Sequence, residues 1–90
     1  MGDVYRAIAD PTRRAVLDEL AAHDGQTLFE LCSRLAMTHG LTSSRQAIGQ
    51  HLDVLADAGL VHRRREGRYT FHHLDTSPLA EIARRWPVPE

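Results

Sequence analysis

The sequence predicts a mainly α-helical domain closed by a small β-hairpin, in the order α-α-α-α-β-β-α. Three observations predict it. Apolar residues recur at helical spacing in four consecutive segments, punctuated by capping residues and glycines. After Gly59 the pattern switches to two short strand-like runs around Glu66-Gly67. A cluster of arginines lies on that hairpin, directly behind a helix with a polar face.

Residues 3–9 read as a first helix, with Tyr5, Ile8 and Ala9 on one side. Asp10-Pro11 restarts the chain: Asp10 can cap, and Pro11 fits the first helical position, where its missing N–H costs nothing. Thr12 to His23 carries Ala15, Val16, Leu20 and Ala21 at helical spacing, and Asp24-Gly25 stops it. Thr27 and Glu30 have the capping-box spacing at the start of a third helix with Leu28, Leu31, Cys32 and Leu35 on its apolar face. His39-Gly40 ends that helix. Thr42-Ser43-Ser44 offers caps for a fourth, in which Ala47, Ile48, Leu52, Leu55 and Ala58 keep the helical period. Residues 60–66 and 68–74 read as strands, and Tyr69, Thr70 and Phe71 favour that state. Asp75 or Thr76 caps a last helix holding Leu79, Ile82, Ala83 and Trp86, which Pro87 and Pro89 end. A helical core followed by a basic hairpin is the winged helix-turn-helix arrangement. The helix-turn-helix is expected at about 27–58, the wing at about 60–74, and outer helices at about 3–9 and 76–86 of a single domain spanning 1–90.

A chain of 90 residues has room for one core, and a domain this small is commonly stabilised by oligomerisation. Hydrophobic residues at 42% and charged residues at 26% exclude wholesale disorder. No apolar run approaches the roughly 20 residues that cross a bilayer, and no signal peptide is visible. Cys32 is the lone cysteine, so no internal disulfide framework exists, and the expected location is the cytoplasm. The net charge of -1 is unequally distributed. Residues 1–24 set Arg6, Arg13 and Arg14 against Asp3, Asp10, Asp18, Glu19 and Asp24. Residues 43–73 set Arg45, Arg63, Arg64, Arg65 and Arg68 against Asp53, Asp57 and Glu66, and add four of the six histidines.

A DNA-reading helix needs an apolar face for docking and a polar face for the major groove. The fourth helix has both: Ile48, Leu52 and Leu55 dock it, while Arg45, Gln46, Gly49, Gln50 and Asp53 point away. Ser43 and Ser44 at its start can bond phosphate beside the helix N-terminus. Arg45 suits guanine, and Gln46 or Gln50 suits adenine. His51 stands at the edge of the helix, where it is expected to meet phosphate, and Asp53 would repel phosphate. In the hairpin, alternation sends Arg63 and Arg65 to one face and Arg64 to the other. Arg65 and Arg68, near the tip, are the candidates for phosphate contact. Each element has an ordinary alternative reading, the helix as a solvated stripe and the charged hairpin as a guard against edge pairing. Their combination in this order favours double-stranded DNA as partner.

Asp10-Pro11-Thr12-Arg13-Arg14, the Leu31 to Leu35 segment, Ser44-Arg45-Gln46-Ala47-Ile48-Gly49-Gln50-His51-Leu52, Ala58-Gly59-Leu60-Val61 and Arg64-Arg65-Glu66-Gly67-Arg68 resemble the ArsR/SmtB family. The resemblance covers roughly Tyr5 to Leu74. It implies a homodimeric repressor that binds operator DNA and often releases it on sensing an effector. It also implies that Ser44, Arg45, Gln46, Gln50 and His51 belong to the recognition helix. Gly49 departs from the family's common Ser, and the turn from Met37 to Ser43 is longer than usual. The outer helices are then expected to form the dimer interface, with Tyr5, Ile8, Leu79, Ile82 and Trp86 as apolar contacts. The same residues could instead complete a monomer core.

Family metal sites often use a cysteine pair near the third helix or acidic and His ligands on the last. Cys32 stands at the first place of such a pair, but Ser33 and Arg34 supply no second thiolate, and the last helix has no His. A soft-metal site needs several converging ligands, so no metal and no cofactor are expected, and Cys32 reads as a small buried hydrophobe. His72 and His73 point to opposite faces of a strand and cannot chelate together; His62 could meet His72 across the hairpin. No phosphate loop, Ser/His/Asp signature or activated cysteine is present, which argues against an enzyme. A protein-interaction module that has lost DNA binding, and a metal- or redox-sensing repressor using Cys32, are the alternatives. The sequence identifies no effector.

Overall fold

The fold is described from a computed structural model, over residues 3–89. Helix α1 spans Val4–Ala9, and the Asp3 carboxylate caps it by accepting from Tyr5 N at 2.9 Å. Helix α2, Pro11–Ala22, starts on the proline, with the Asp10 carboxylate accepting from Arg13 N. Helix α3, Leu28–His39, opens with both arms of the Thr27/Glu30 capping box. It closes on Gly40, whose φ of 65° is the left-handed geometry that favours glycine. Helix α4, Arg45–Asp57, is capped by Ser44 Oγ, which accepts from Ala47 N at 3.1 Å.

Strands β1, Val61–Glu66, and β2, Tyr69–Leu74, pair antiparallel from Val61↔Leu74 to Glu66↔Tyr69. The loop is therefore Gly67-Arg68, and Gly67 has the positive φ (61°) that a two-residue hairpin of this kind needs at its first position. Arg68 sits in the turn, not in the second strand as its place after Glu66-Gly67 suggested. The last element also departs from expectation. Ser77–Leu79 form a 3-10 turn, and helix α5 covers only Ala80–Arg85. Asp75 accepts from Ser77 N at 2.9 Å, which starts the turn there; Thr76 makes no side-chain cap.

Val16 and Leu20 of α2, Leu31 and Leu35 of α3, and Ile48 and Leu55 of α4 meet Leu60 and Val61 in a fully buried core. Each such side chain contributes about 1.5–3 kcal/mol relative to leaving it in water. The hairpin is fixed to this core at its base. Gln26, in the α2–α3 loop, forms an isolated bridge with His72 of β2: His72 N donates to Gln26 O at 2.8 Å and Gln26 N to His72 O at 3.2 Å. Asp24 takes Leu74 N at 2.7 Å and pairs with His73 Nδ1 at 3.1 Å. His62 lies opposite His73, not His72, and pairs with Asp75 at 2.6 Å, because the strand register sets Arg63 across from His72.

His72 is buried, and its Nδ1 lies 2.9 Å from the Gln26 carbonyl. Burial pushes its imidazole below the ordinary value of 6.5. The unfolded chain binds a proton there more readily than the folded one, so stability is full above about pH 6.5 and declines as pH falls toward the lower folded value. Backbone N–H groups of Arg13, Leu74 and Thr27 hold Asp10, Asp24 and Glu30 below their ordinary values. The hydroxyl and N–H of Ser77 bring Asp75 down to about 2. The carboxylate contributions are present above about pH 4 and are lost as pH falls further. A plot of Tm against pH should show two descending limbs, and His72→Asn should remove only the first. A single limb below pH 4 in the wild type would contradict this assignment.

Candidate nucleic-acid interface

Helix α4 and the hairpin flank a cleft of about 630 Å³, with the start of α3 along it. Gln46, Gly49, Gln50 and Asp53 line it from α4, and Arg63, Arg68, Tyr69 and Thr70 from the hairpin. Leu52 and His72 also belong to its lining, both of them buried. The docking face of α4 therefore points into the core while Gln46, Gln50 and Asp53 on its polar face stay exposed, as a groove-reading helix requires.

Of the residues proposed to touch DNA, the cleft brings together Gln46, Gln50 and Arg68. Ser43, Ser44 and Arg45 are exposed at the N-terminal end of α4, away from the cleft lining. Ser44 Oγ is used as a cap acceptor, which leaves its hydroxyl proton for a phosphate oxygen. Arg65 is exposed, and its Nε donates to Gly67 O at 3.2 Å, bracing the tip. His51 does not join this set. Its ring is half-buried against α2, with Nδ1 at 3.1 Å from an Arg13 guanidinium nitrogen and 4.0 Å from Asp10.

Asp53 is less repulsive to phosphate than its sequence position suggested. Arg63 reaches across from β1 and pairs with it at 2.6 Å, so a neighbouring cation offsets the charge of the carboxylate. Gly49 faces open space: a Cβ there would meet nothing among the described residues within 4 Å, so no contact with them requires glycine. Two exposed aromatic residues, Phe29 (65%) and Tyr69 (57%), also line the cleft. Phe29 is off the apolar spacing of α3, a signal that could have marked it as a surface aromatic.

Away from this cleft's lining residues, Ile8 of α1 and Leu79 line an apolar groove of about 410 Å³ with Leu17, Leu60 and Leu74. Tyr5 meets Trp86 edge-to-face at 6.1 Å, and the Arg85 guanidinium stacks over both rings. Tyr5, Ile8, Leu79 and Ile82 are half-buried against the core, whereas Trp86 is 58% exposed. Cys32 is half-buried rather than fully enclosed, and burial pushes its thiol above the ordinary value, against the opposing pull of Arg45. A raised thiol is poorly disposed to redox attack or metal binding. Among the described residues, no three His, Cys, Asp or Glu side chains converge as a metal site. No described helix is long and apolar enough to cross a membrane.

A helix-turn-helix domain family matches residues 8–64. The chain is 42% identical to the uncharacterized HTH-type transcriptional regulator YuzN of Bacillus subtilis, over 92% of this chain and 90% of that protein. It is 31% identical to the transcriptional repressor SdpR of Bacillus subtilis, over 90% of this chain and 82% of the other. Its fold is similar to that of an ArsR-like transcriptional regulator from Rhodococcus sp. RHA1, with a TM-score of 0.78, 34% identity, and coverage of 91% of this chain and 69% of that one.

Proposed function

The chain belongs to the ArsR family of helix-turn-helix transcriptional regulators, and from that premise we propose that it is a repressor binding a palindromic operator in double-stranded DNA as a homodimer. The observation that carries the reading is the cleft in which α4 presents Gln46 and Gln50 beside Arg68 of the hairpin. Amide side chains at that spacing pair with adenine edges in the major groove, and Arg45 at the helix start is suited to guanine. Ser43, Ser44, Arg65 and Arg68 supply the phosphate contacts that set register.

Repression fits a small domain that occludes promoter DNA by binding, and it is the activity named for the relative SdpR. The dimer surface is proposed along α1 and α5, where Tyr5, Ile8, Leu79 and Ile82 remain partly open and Trp86 is exposed. Two recognition helices related by a two-fold axis would read half-sites about 34 Å apart, or a multiple of that distance. The cytoplasm, where the DNA lies, is the proposed location.

The wing provides the test. Combined Arg65→Ala and Arg68→Ala should weaken binding to operator and to scrambled duplex alike. The slope of log K against log salt should fall by about 3.6, since each lost phosphate contact removes about 0.9 and the dimer loses two from each chain. An unchanged slope in fluorescence anisotropy titrations would exclude the wing from the interface.

A further inference from the structure

The Arg13 guanidinium joins two helices that have separate tasks. Its Nε donates to Ala7 O at 2.8 Å and its second terminal nitrogen to Arg6 O at 3.1 Å, so it caps the last turn of α1. Those carbonyls have no partner inside the helix and carry its negative dipole end, which a cation satisfies. The remaining nitrogen lies 3.1 Å from His51 Nδ1 on α4. A guanidinium only donates, so Nδ1 must accept, which places the ring proton on Nε2. Asp10 completes the arrangement by accepting from Arg13 N at 3.0 Å. His51 is the neighbour of Gln50, which faces the cleft.

We infer that Arg13 and His51 are positioning residues, a link that fixes the angle of the recognition helix α4 against the helix α1 of the proposed dimer interface. The inference rests on the operator-binding dimer proposed above. Base reading by two helices at once requires that each hold its angle to the shared interface, whereas attraction to phosphate does not. The link therefore governs selectivity and leaves non-specific affinity alone. This role differs from a direct phosphate contact by His51, which would contribute to both.

The test compares wild type, His51→Leu and His51→Asn on operator and scrambled duplexes across a salt series. Leu removes the acceptor, and Asn restores one at the same δ position. His51→Leu should lower the ratio of operator to scrambled affinity by about tenfold per half-site, roughly a hundredfold for the dimer, the size expected from losing one hydrogen bond to a charged group in each chain. Scrambled-duplex affinity and salt slope should stay at wild-type values, and His51→Asn should regain most of the ratio. A salt slope reduced by about 1.8, one contact from each chain of the dimer, would instead make His51 a phosphate contact and overturn the link. A lowered Tm with an unchanged ratio would reduce it to packing, also overturning it. If the wild type itself showed no selectivity, the operator reading would fail and the link with it. A readout independent of DNA is the long-range ¹H–¹⁵N spectrum of the wild type at about pH 8, where His is ordinarily neutral. It should show His51 protonated on Nε2 and bare at Nδ1. A proton on Nδ1 would overturn the link even if His51→Leu failed to fold.

Discussion

Replacing Gln46 and Gln50 together by alanine should abolish discrimination between operator and scrambled DNA while leaving the domain folded. Both side chains are exposed on α4 and line the cleft without a hydrogen bond to another described residue, so their loss leaves the core untouched. Alanine also favours the helix. Each bidentate pairing to a base edge accounts for about 1–3 kcal/mol of discrimination, roughly five- to 150-fold per residue and half-site. In a dimer each substitution acts twice, so the combined variant should bind operator at its non-specific level. The salt slope, set by phosphate contacts, should change little. Single substitutions followed by base changes in each half-site would assign each glutamine to its base pair. A double variant that retained operator selectivity would move base reading to Arg45 or to the hairpin.

The second large effect is on stability. Leu55→Ala should destabilise the domain by about 2–5 kcal/mol through lost burial and the cavity left behind. Leu55 is fully buried in the core that holds α4. A domain of this size is stable by roughly 5–15 kcal/mol in all, so the loss is a large share of the total. Thermal unfolding should show Tm lowered by at least about 8 °C. DNA affinity measured well below that Tm should fall less than for the glutamine pair, because the reading face is intact. A Tm within a degree or two of wild type would mean that the core is not packed as described.

The sequence made local features legible and left distant ones hidden. Caps are decided within four residues, so Asp10-Pro11, Thr27 with Glu30, and Ser44 mark the starts of α2, α3 and α4 directly. The apolar period likewise identifies Leu31, Leu35, Ile48, Leu52 and Leu55 as core. His51 was different. Its partner Arg13 is 38 positions away, and a polar residue at a helix edge gives no sign that a guanidinium waits on a neighbouring helix. Asp53 and Arg63 are a similar case, since the pairing depends on where β1 crosses α4. The hairpin turn fell one residue late because Glu66-Gly67 and Gly67-Arg68 both satisfy turn chemistry, and only the cross-strand register separates them. At the end of the chain Asp75, Ser77 and Pro78 favour a tight turn, which delays α5 to Ala80.

The most direct test of the central claim is an anisotropy titration of the wild-type protein with the DNA upstream of its own gene, at several salt concentrations, against a scrambled duplex of the same length. An operator-binding repressor should bind the upstream DNA tightly with two chains per site, bind the scrambled duplex more weakly, and lose affinity steadily as salt rises. Equal affinity for both duplexes, or no binding to either at low salt, would contradict an operator-binding repressor and favour a winged-helix module whose partner is another protein.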